Sequence, residues 1–295
     1  MKTKGTIRGL YVSTALLAIA CITAAGAQGA KECQILDALP SSVYEFDMEY
    51  IPSSDVDGFG KTEMIEMSAD WAFAYFRAGD AGDFDLNMRA DSTVFFHSLG
   101  GLFPNQVAKV ALDAGWALRL EDGYAVQVRA EPGIYSDFDH LSGDSLFYPF
   151  SFALIRAFDP SLSAMAGLEI RPEFNLPVMP LVGVVWAIDD DLTLDARCPC
   201  SKLNYCLAKD WNTYLALDWA NTTYQVSGAV DRFTLNYLKA YWGVTYQLAD
   251  QALVRAEVGA IFDRTAKYEN SASDSKNEVD IERAYFVRLG MGAAF

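Results

Sequence analysis

The chain has 295 residues, 52% of them hydrophobic and 13% aromatic, which excludes a disordered protein. Its net charge of −16 at pH 7 excludes a general nucleic-acid binder, because attraction to phosphate requires Lys and Arg in excess.

The first 27 residues read as a signal peptide rather than as part of the fold. Lys2, Lys4 and Arg8 form a basic start, and "LYVSTALLAIACI" (10–22) is apolar but too short to span a bilayer comfortably. "AGA" at 25–27 offers small residues for cleavage after Ala27, whereas Ala18 is a poor fit to a lipoprotein site at Cys21. The exported chain then carries 20 Lys and Arg against 39 Asp and Glu, a net charge of −19. Residues 28–42 are expected to form a periplasmic lead-in or a partial plug.

From residue 43 onward, period-two alternation recurs and helical periodicity does not. Strands are predicted at 43–50, 61–77, 84–96, 107–121, 124–137, 146–157, 162–173, 180–188, 192–197, 211–219, 222–230, 237–247, 252–263 and 281–295. That makes about fourteen. Twelve is the alternative, since the short segments between 192 and 230 are ambiguous. The alternation is plain at 107–120, where Val110, Leu112, Ala114, Trp116 and Leu118 oppose Lys109, Asp113 and Arg119. In 252–262, Val254, Ala256, Val258 and Phe262 oppose Arg255, Glu257 and Gly259.

One-sided strands suit a soluble sheet or a membrane barrel with a wet interior. Three features favour the barrel. Many strands exceed ten residues, against a mean of about 5–6 in soluble sheets. Short turns at 79–83, 121–123, 159–161, 189–191 and 249–251 alternate with longer polar links at 51–60, 97–106, 138–145, 174–179, 198–210 and 264–280. Mid-strand positive charges fall on the polar face, and the exceptions Arg77 and Arg156 lie near short turns where they snorkel to an interface. The fold expected is all-β, a transmembrane antiparallel up-and-down barrel in the bacterial outer membrane, with both termini periplasmic. A soluble secreted β-sandwich or adhesin is the alternative.

The polar face is the most informative chemistry. It gathers Arg89, Arg119, Arg129, Arg171, Arg197, Arg255 and Arg288 with Glu131, Glu169 and Glu257. These charges suit either a water-filled lumen passing small polar solutes or a ladder of ion pairs that holds the wall together. In the last strand Tyr285, Val287, Leu289 and Met291 form an outward stripe ending on Phe295. A terminal aromatic on an alternating strand resembles the assembly signal of outer-membrane proteins, which implies the barrel-assembly machinery and outer-membrane lipid as partners.

Export permits disulfides among Cys33, Cys198, Cys200 and Cys206, with "CPCSKLNYC" stapled within itself or to Cys33. The spacing matches no standard zinc site. No metal and no cofactor is expected, and oligomeric state is not legible. In "SDFDHLSGDS" (136–145), His140 and Ser142 beside Asp137 resemble the rim His–Ser pair of outer-membrane lipid hydrolases. Ser, Asp and Gly are equally the content of any exposed loop. No catalytic residue is assigned, and the hydrolase stays an alternative to a pore-like or structural barrel.

Three further stretches resemble a bacterial family of outer-membrane β-barrels catalogued as a domain of unknown function. They are "EPGIYSDF" (131–138), "LPVMPLVGVVWAIDDDLTLDARCP" (176–199) and "VGAIFDRTAKY" (258–268). The resemblance covers most of 43–295 and implies a barrel with no catalytic residues to transfer.

Overall fold

In the computed structural model the residues described are 43–57, 60–97, 103–139, 141–227, 230–249, 251–270 and 275–294. The predicted signal peptide, the 28–42 segment, His140 and Phe295 lie outside them. Fourteen antiparallel strands close into a barrel. They are β1 (Val43–Val56), β2 (Gly60–Arg77), β3 (Asp83–His97), β4 (Gln106–Arg119) and β5 (Tyr124–Ala130, resumed at Gly133–Ser136). Next come β6 (Leu146–Phe147, resumed at Phe150–Asp159), β7 (Leu162–Ile170), β8 (Val178–Ala187), β9 (Leu192–Arg197) and β10 (Cys200–Ala208). The ring is completed by β11 (Trp211–Gln225), β12 (Arg232–Ala249), β13 (Ala252–Asn270) and β14 (Ser275–Ile281, resumed at Ala284–Ala294). Each strand pairs with its chain neighbours, and β14 closes on β1 from Val43↔Ala294 to Tyr50↔Val287. A closed ring has no edge strands and excludes the sandwich alternative.

The wall is uneven in height. β7, β8, β9 and β10 hold 9, 10, 6 and 9 residues, whereas β12 and β13 hold 18 and 19. Above the low side, β11 runs on and its freed edge meets β5, where Gln225 pairs in parallel with Ser136. The barrel therefore has two tiers. The lower contains all the strands, and among the described residues the upper is ringed by β1–β5 and β11–β14, with the short Leu146–Phe147 piece of β6 beside Gly133 and Ile134.

Hydropathy inverts between the tiers. Below, β1 turns Phe46, Met48 and Tyr50 outward and Glu45, Asp47 and Glu49 inward, so the outside is apolar. Above, β12 turns Phe233 and Leu235 inward, both almost fully buried, and β13 turns Lys267 outward to pair with Glu278 of β14 at 3.2 Å. The change of level coincides with register shifts between Ile51 and Ser54 and between Asn236 and Leu238. It also coincides with the break in β14 between Ile281 and Ala284. Bulges of this kind re-aim side chains by one position.

The observed strands correct three expectations, the first through this inversion. Within the stretches 51–60 and 264–280, read as loops for their polarity, residues 51–56, 264–270 and 275–280 are upper-tier strand whose polar side faces water. The stretch 198–210 carries β10, with Leu203, Tyr205 and Leu207 outward against Cys200, Lys202 and Asn204; the cysteines and Pro199 masked that alternation. Segments 211–219 and 222–230 are one strand to Gln225, the Asn and Thr of "DWANTTYQ" being strand rather than turn.

Candidate functional site in the barrel interior

Inward-facing side chains of the lower tier form two ion-pair networks. In the first, Lys239 of β12 reaches Glu49 of β1 at 2.6 Å and Glu66 of β2 at 2.7 Å. Glu49 also accepts from Arg288 of β14 at 2.6 Å, and Arg288 reaches Glu257 of β13 at 2.7 Å. Arg255 binds Asp47 at 2.6 Å and lies 3.5 Å from Glu257, whose carboxylate also accepts from the Tyr214 hydroxyl. Lys239 and Glu49 are each only 2% exposed, so this cluster is dry and its charges survive there only by being paired.

The second network sits across β2–β5. Arg89 binds Asp70 at 2.6 Å and Glu131 at 3.5 Å. Lys109 binds Asp91 at 2.6 Å and Glu131 at 3.1 Å. Arg129 bridges Asp85 and Asp113, both at 2.8 Å. Inward glycines make the room: a Cβ on Gly115 would collide with the Asp85 carboxylate, and one on Gly290 with that of Asp47.

A cavity of about 660 Å³ opens beside this network, lined by Glu45, Asp70, Asn87, Arg89, Asp113, Gln127, Arg129, Glu131, Ser151 and Glu169 among others. Above it, aromatic side chains of the described residues pack against one another. Phe103 meets Phe95, Phe233 and Tyr268 with ring centroids 5.9, 5.4 and 5.6 Å apart. Tyr135 meets Phe147, Phe174 and Tyr224 at 5.1, 5.5 and 6.5 Å. These rings form the hydrophobic core of the upper tier. A ring of about eight strands has an interior that side chains fill, and the narrowed upper ring is close to that number.

Among the residues singled out in the sequence, Arg89, Arg129, Glu131, Arg255, Glu257 and Arg288 lie in these networks. Glu169 lines the cavity. Arg171 is buried higher up, donating to the Asn221 carbonyl at 2.9 Å and stacked on Phe174. Arg197 pairs with Asp195 on its own strand. Arg119 is exposed beside the turn after β4. The reasoning from sequence missed Glu49, Glu66 and Lys239. The signal for Glu49 was present in "EFDMEY", where three acids alternate with Phe46, Met48 and Tyr50. Tyr285, Val287, Leu289 and Met291 all point outward and are exposed.

Among the described residues Cys198, Cys200 and Cys206 form no disulfide with one another, and the alternative partner Cys33 lies outside those residues. Cys200 and Cys206 sit six residues apart on β10, about 20 Å at the strand rise, far beyond disulfide reach. Cys200 instead donates to Asp218 at 2.9 Å. Ser142 accepts from the Asp144 amide at 3.2 Å and caps a single 3₁₀ turn. Asp137 accepts from the Ser227 amide at 2.6 Å and hydroxyl at 2.7 Å. Ser142 thus serves the backbone, and Asp137 holds both main-chain and side-chain donors. Among the described residues no group of His, Cys, Asp and Glu is arranged to hold a metal ion.

No curated protein matches the chain. Among solved structures it is similar to an outer membrane channel from Pseudomonas putida F1, at 7% identity and a TM-score of 0.49, over 91% of this chain and 100% of that one. It is also similar to the NanC porin, at 9% identity and a TM-score of 0.40, over 85% and 100%. The KdgM porin matches at 9% identity and a TM-score of 0.36, over 85% and 99%. These values describe a loose similarity of shape. A family model, by contrast, matches residues 98–292, from the link before β4 into the lower end of β14, and the chain belongs to the family it describes, "Domain of unknown function (DUF6268)".

Proposed function

We propose that the protein is a pore-like barrel of the bacterial outer membrane that admits small polar solutes to its charged lower interior. The observation that carries this reading is the outward belt of large apolar side chains around the whole lower tier. Met48, Leu112, Phe152, Trp186, Leu215 and Val287, from six different strands, are each between 44% and 58% exposed. A contiguous apolar surface of that extent is not tolerated in water, whereas acyl chains cover it without cost. The ionic interior supports passage of polar rather than apolar solutes, and the aromatic upper core is the barrier they have to cross.

On this reading residues 1–27 are the export signal. The short-turn rim with both termini faces the periplasm, and the upper tier stands clear of the bilayer on the outside. The stripe Tyr285, Val287, Leu289 and Met291 is the face offered to the barrel-assembly machinery. Two measurements test the proposal. The protein should partition with the outer membrane and require detergent for extraction, with heat-modifiable gel migration. Liposomes containing it should swell in small polar solutes faster than empty ones. Purified protein that stays dispersed in plain buffer would overturn the reading.

A further inference from the structure

Neighbouring strands elsewhere in the ring are held by antiparallel ladders, as between β11 and β12, which pair continuously from Trp211↔Tyr246 to Gln225↔Arg232. The seam that closes the upper tier is different. Among the described residues β5 and β11 share one parallel pair, Ser136↔Gln225, beside which the Asp137 amide donates to the Gln225 carbonyl at 3.2 Å. Side chains supply the rest of the hold. One carboxylate oxygen of Asp137 accepts from both the amide and the hydroxyl of Ser227, beyond the end of β11. Its other oxygen accepts from the Asp139 amide at 3.1 Å, which fixes the carboxylate in place. Lower down, Arg171 donates to the Asn221 carbonyl at 2.9 Å and the Asn175 amide to Thr223 Oγ1 at 3.0 Å.

The aromatic rings form two contact groups, Tyr135 with Phe147 and Phe174, and Phe95 and Phe103 with Phe233 and Tyr268. Tyr135 touches Tyr224 across the seam, and Tyr224 stands in register with Phe233. Parting β5 from β11 would draw Tyr135 away from Tyr224 without breaking an antiparallel ladder. Charge-assisted bonds to a carboxylate are about twice as strong as neutral ones; across this seam they are made by Asp137 to Ser227 and, further along, by Arg232 to Glu173.

We propose that the β5–β11 seam is the gate of the lumen and that Asp137 is its latch. The inference rests on the pore-like reading above. It assigns the closed upper tier a means of opening, one that connects the lower cavity to the long-loop rim.

The test uses the full chain in planar bilayers and in swelling liposomes. Asp137→Ala and Ser227→Ala should each raise conductance and swelling rate severalfold while heat-modifiable migration is retained. In a background with Cys33, Cys198, Cys200 and Cys206 changed to Ser, the pair Ser136→Cys and Gln225→Cys locks the seam. Oxidation with copper phenanthroline joins the two thiols, two electrons passing to Cu(II) and two protons to solvent. The cross-linked protein should not conduct, and dithiothreitol should restore conduction to the level before oxidation. Wild-type conductance in a folded Asp137→Ala barrel, or undiminished conductance after cross-linking, overturns the latch. The double variant Phe103→Ala/Phe233→Ala opens the core without touching the seam. If it conducts and Asp137→Ala does not, the pore-like reading stands and the latch falls. If neither conducts, both fall.

Discussion

Lys239 and Glu66 lie on strands that do not pair through their main chains, yet their side chains meet across the interior at 2.7 Å. Three strands, β13, β14 and β1, separate them around the wall. Lys239 also holds Glu49 and is 2% exposed. Removing one partner of such a pair leaves an uncompensated buried charge, which costs about 3–5 kcal/mol. Lys239→Met should therefore lower the unfolding free energy by about that much in urea titrations of the reconstituted barrel. Adding Glu49→Gln and Glu66→Gln to Lys239→Met should recover much of the loss. A Lys239→Met barrel as stable as the native one would show that the pair is not holding the walls together.

The apolar belt makes a positional prediction on one pair of strands. Val258 of β13 faces outward in the lower tier, in register with Val287. On the membrane reading proposed above, an Arg there should cost about 2–4 kcal/mol at mid-depth. Glu278 faces outward in the upper tier, half-exposed and paired with Lys267. Glu278→Arg loses only a surface pair, worth under about 1 kcal/mol. Equal effects of Val258→Arg and Glu278→Arg on unfolding would remove the distinction between tiers.

Small inward residues are required where the ionic networks press against the wall. Gly290 of β14 faces Asp47, and its Cβ would lie 3.1 Å from Arg255 Nε as well. Gly290→Val should displace the Asp47–Arg255 pair and destabilise by about 1–3 kcal/mol, the usual cost of overpacking. Gly143, in the loop before β6, has no neighbouring atom within 4 Å of where a Cβ would sit. It should accept Ala with no measurable change. The comparison is read from thermal or urea unfolding of the two variants side by side.

Charge in the lower cavity sets a direction for selectivity. Its lining places five carboxylates, Glu45, Asp70, Asp113, Glu131 and Glu169, against the guanidinium groups of Arg89 and Arg129. An acidic surplus in a confined space favours cations. In the Phe103→Ala/Phe233→Ala variant, lysine should therefore enter liposomes faster than glutamate at low salt. The preference should shrink with added salt and with Glu45→Gln/Glu169→Gln. Faster entry of glutamate would contradict the assignment.

The lower tier was largely legible in the sequence, because a single rule governs it: apolar outside, polar inside, period two. Val110, Leu112, Val258 and Val287 read as outward and are exposed in the structure. The upper tier was not legible, because the rule reverses there without a break in the strand. "DRTAKYEN" in β13 alternates too, but with Ala266 and Tyr268 buried and Lys267 outward, and judged by the lower rule it reads as a polar loop. Lys239 escaped for a different reason. Its partners Glu49 and Glu66 are remote in sequence, on strands that never pair with β12, and no local spacing reports a contact made across a cavity.

The ring closure of β14 on β1 has a consequence for biogenesis. Glu45, Asp47 and Glu49 enter with the first strand, whereas the cations that neutralise them, Lys239, Arg255 and Arg288, come on the last three. Until those strands arrive, a nascent sheet presents three unbalanced negative charges along its leading edge, which discourages that edge from joining a foreign partner. Charge balance and wall completion are thus reached together, and a chain truncated before β12 would have neither.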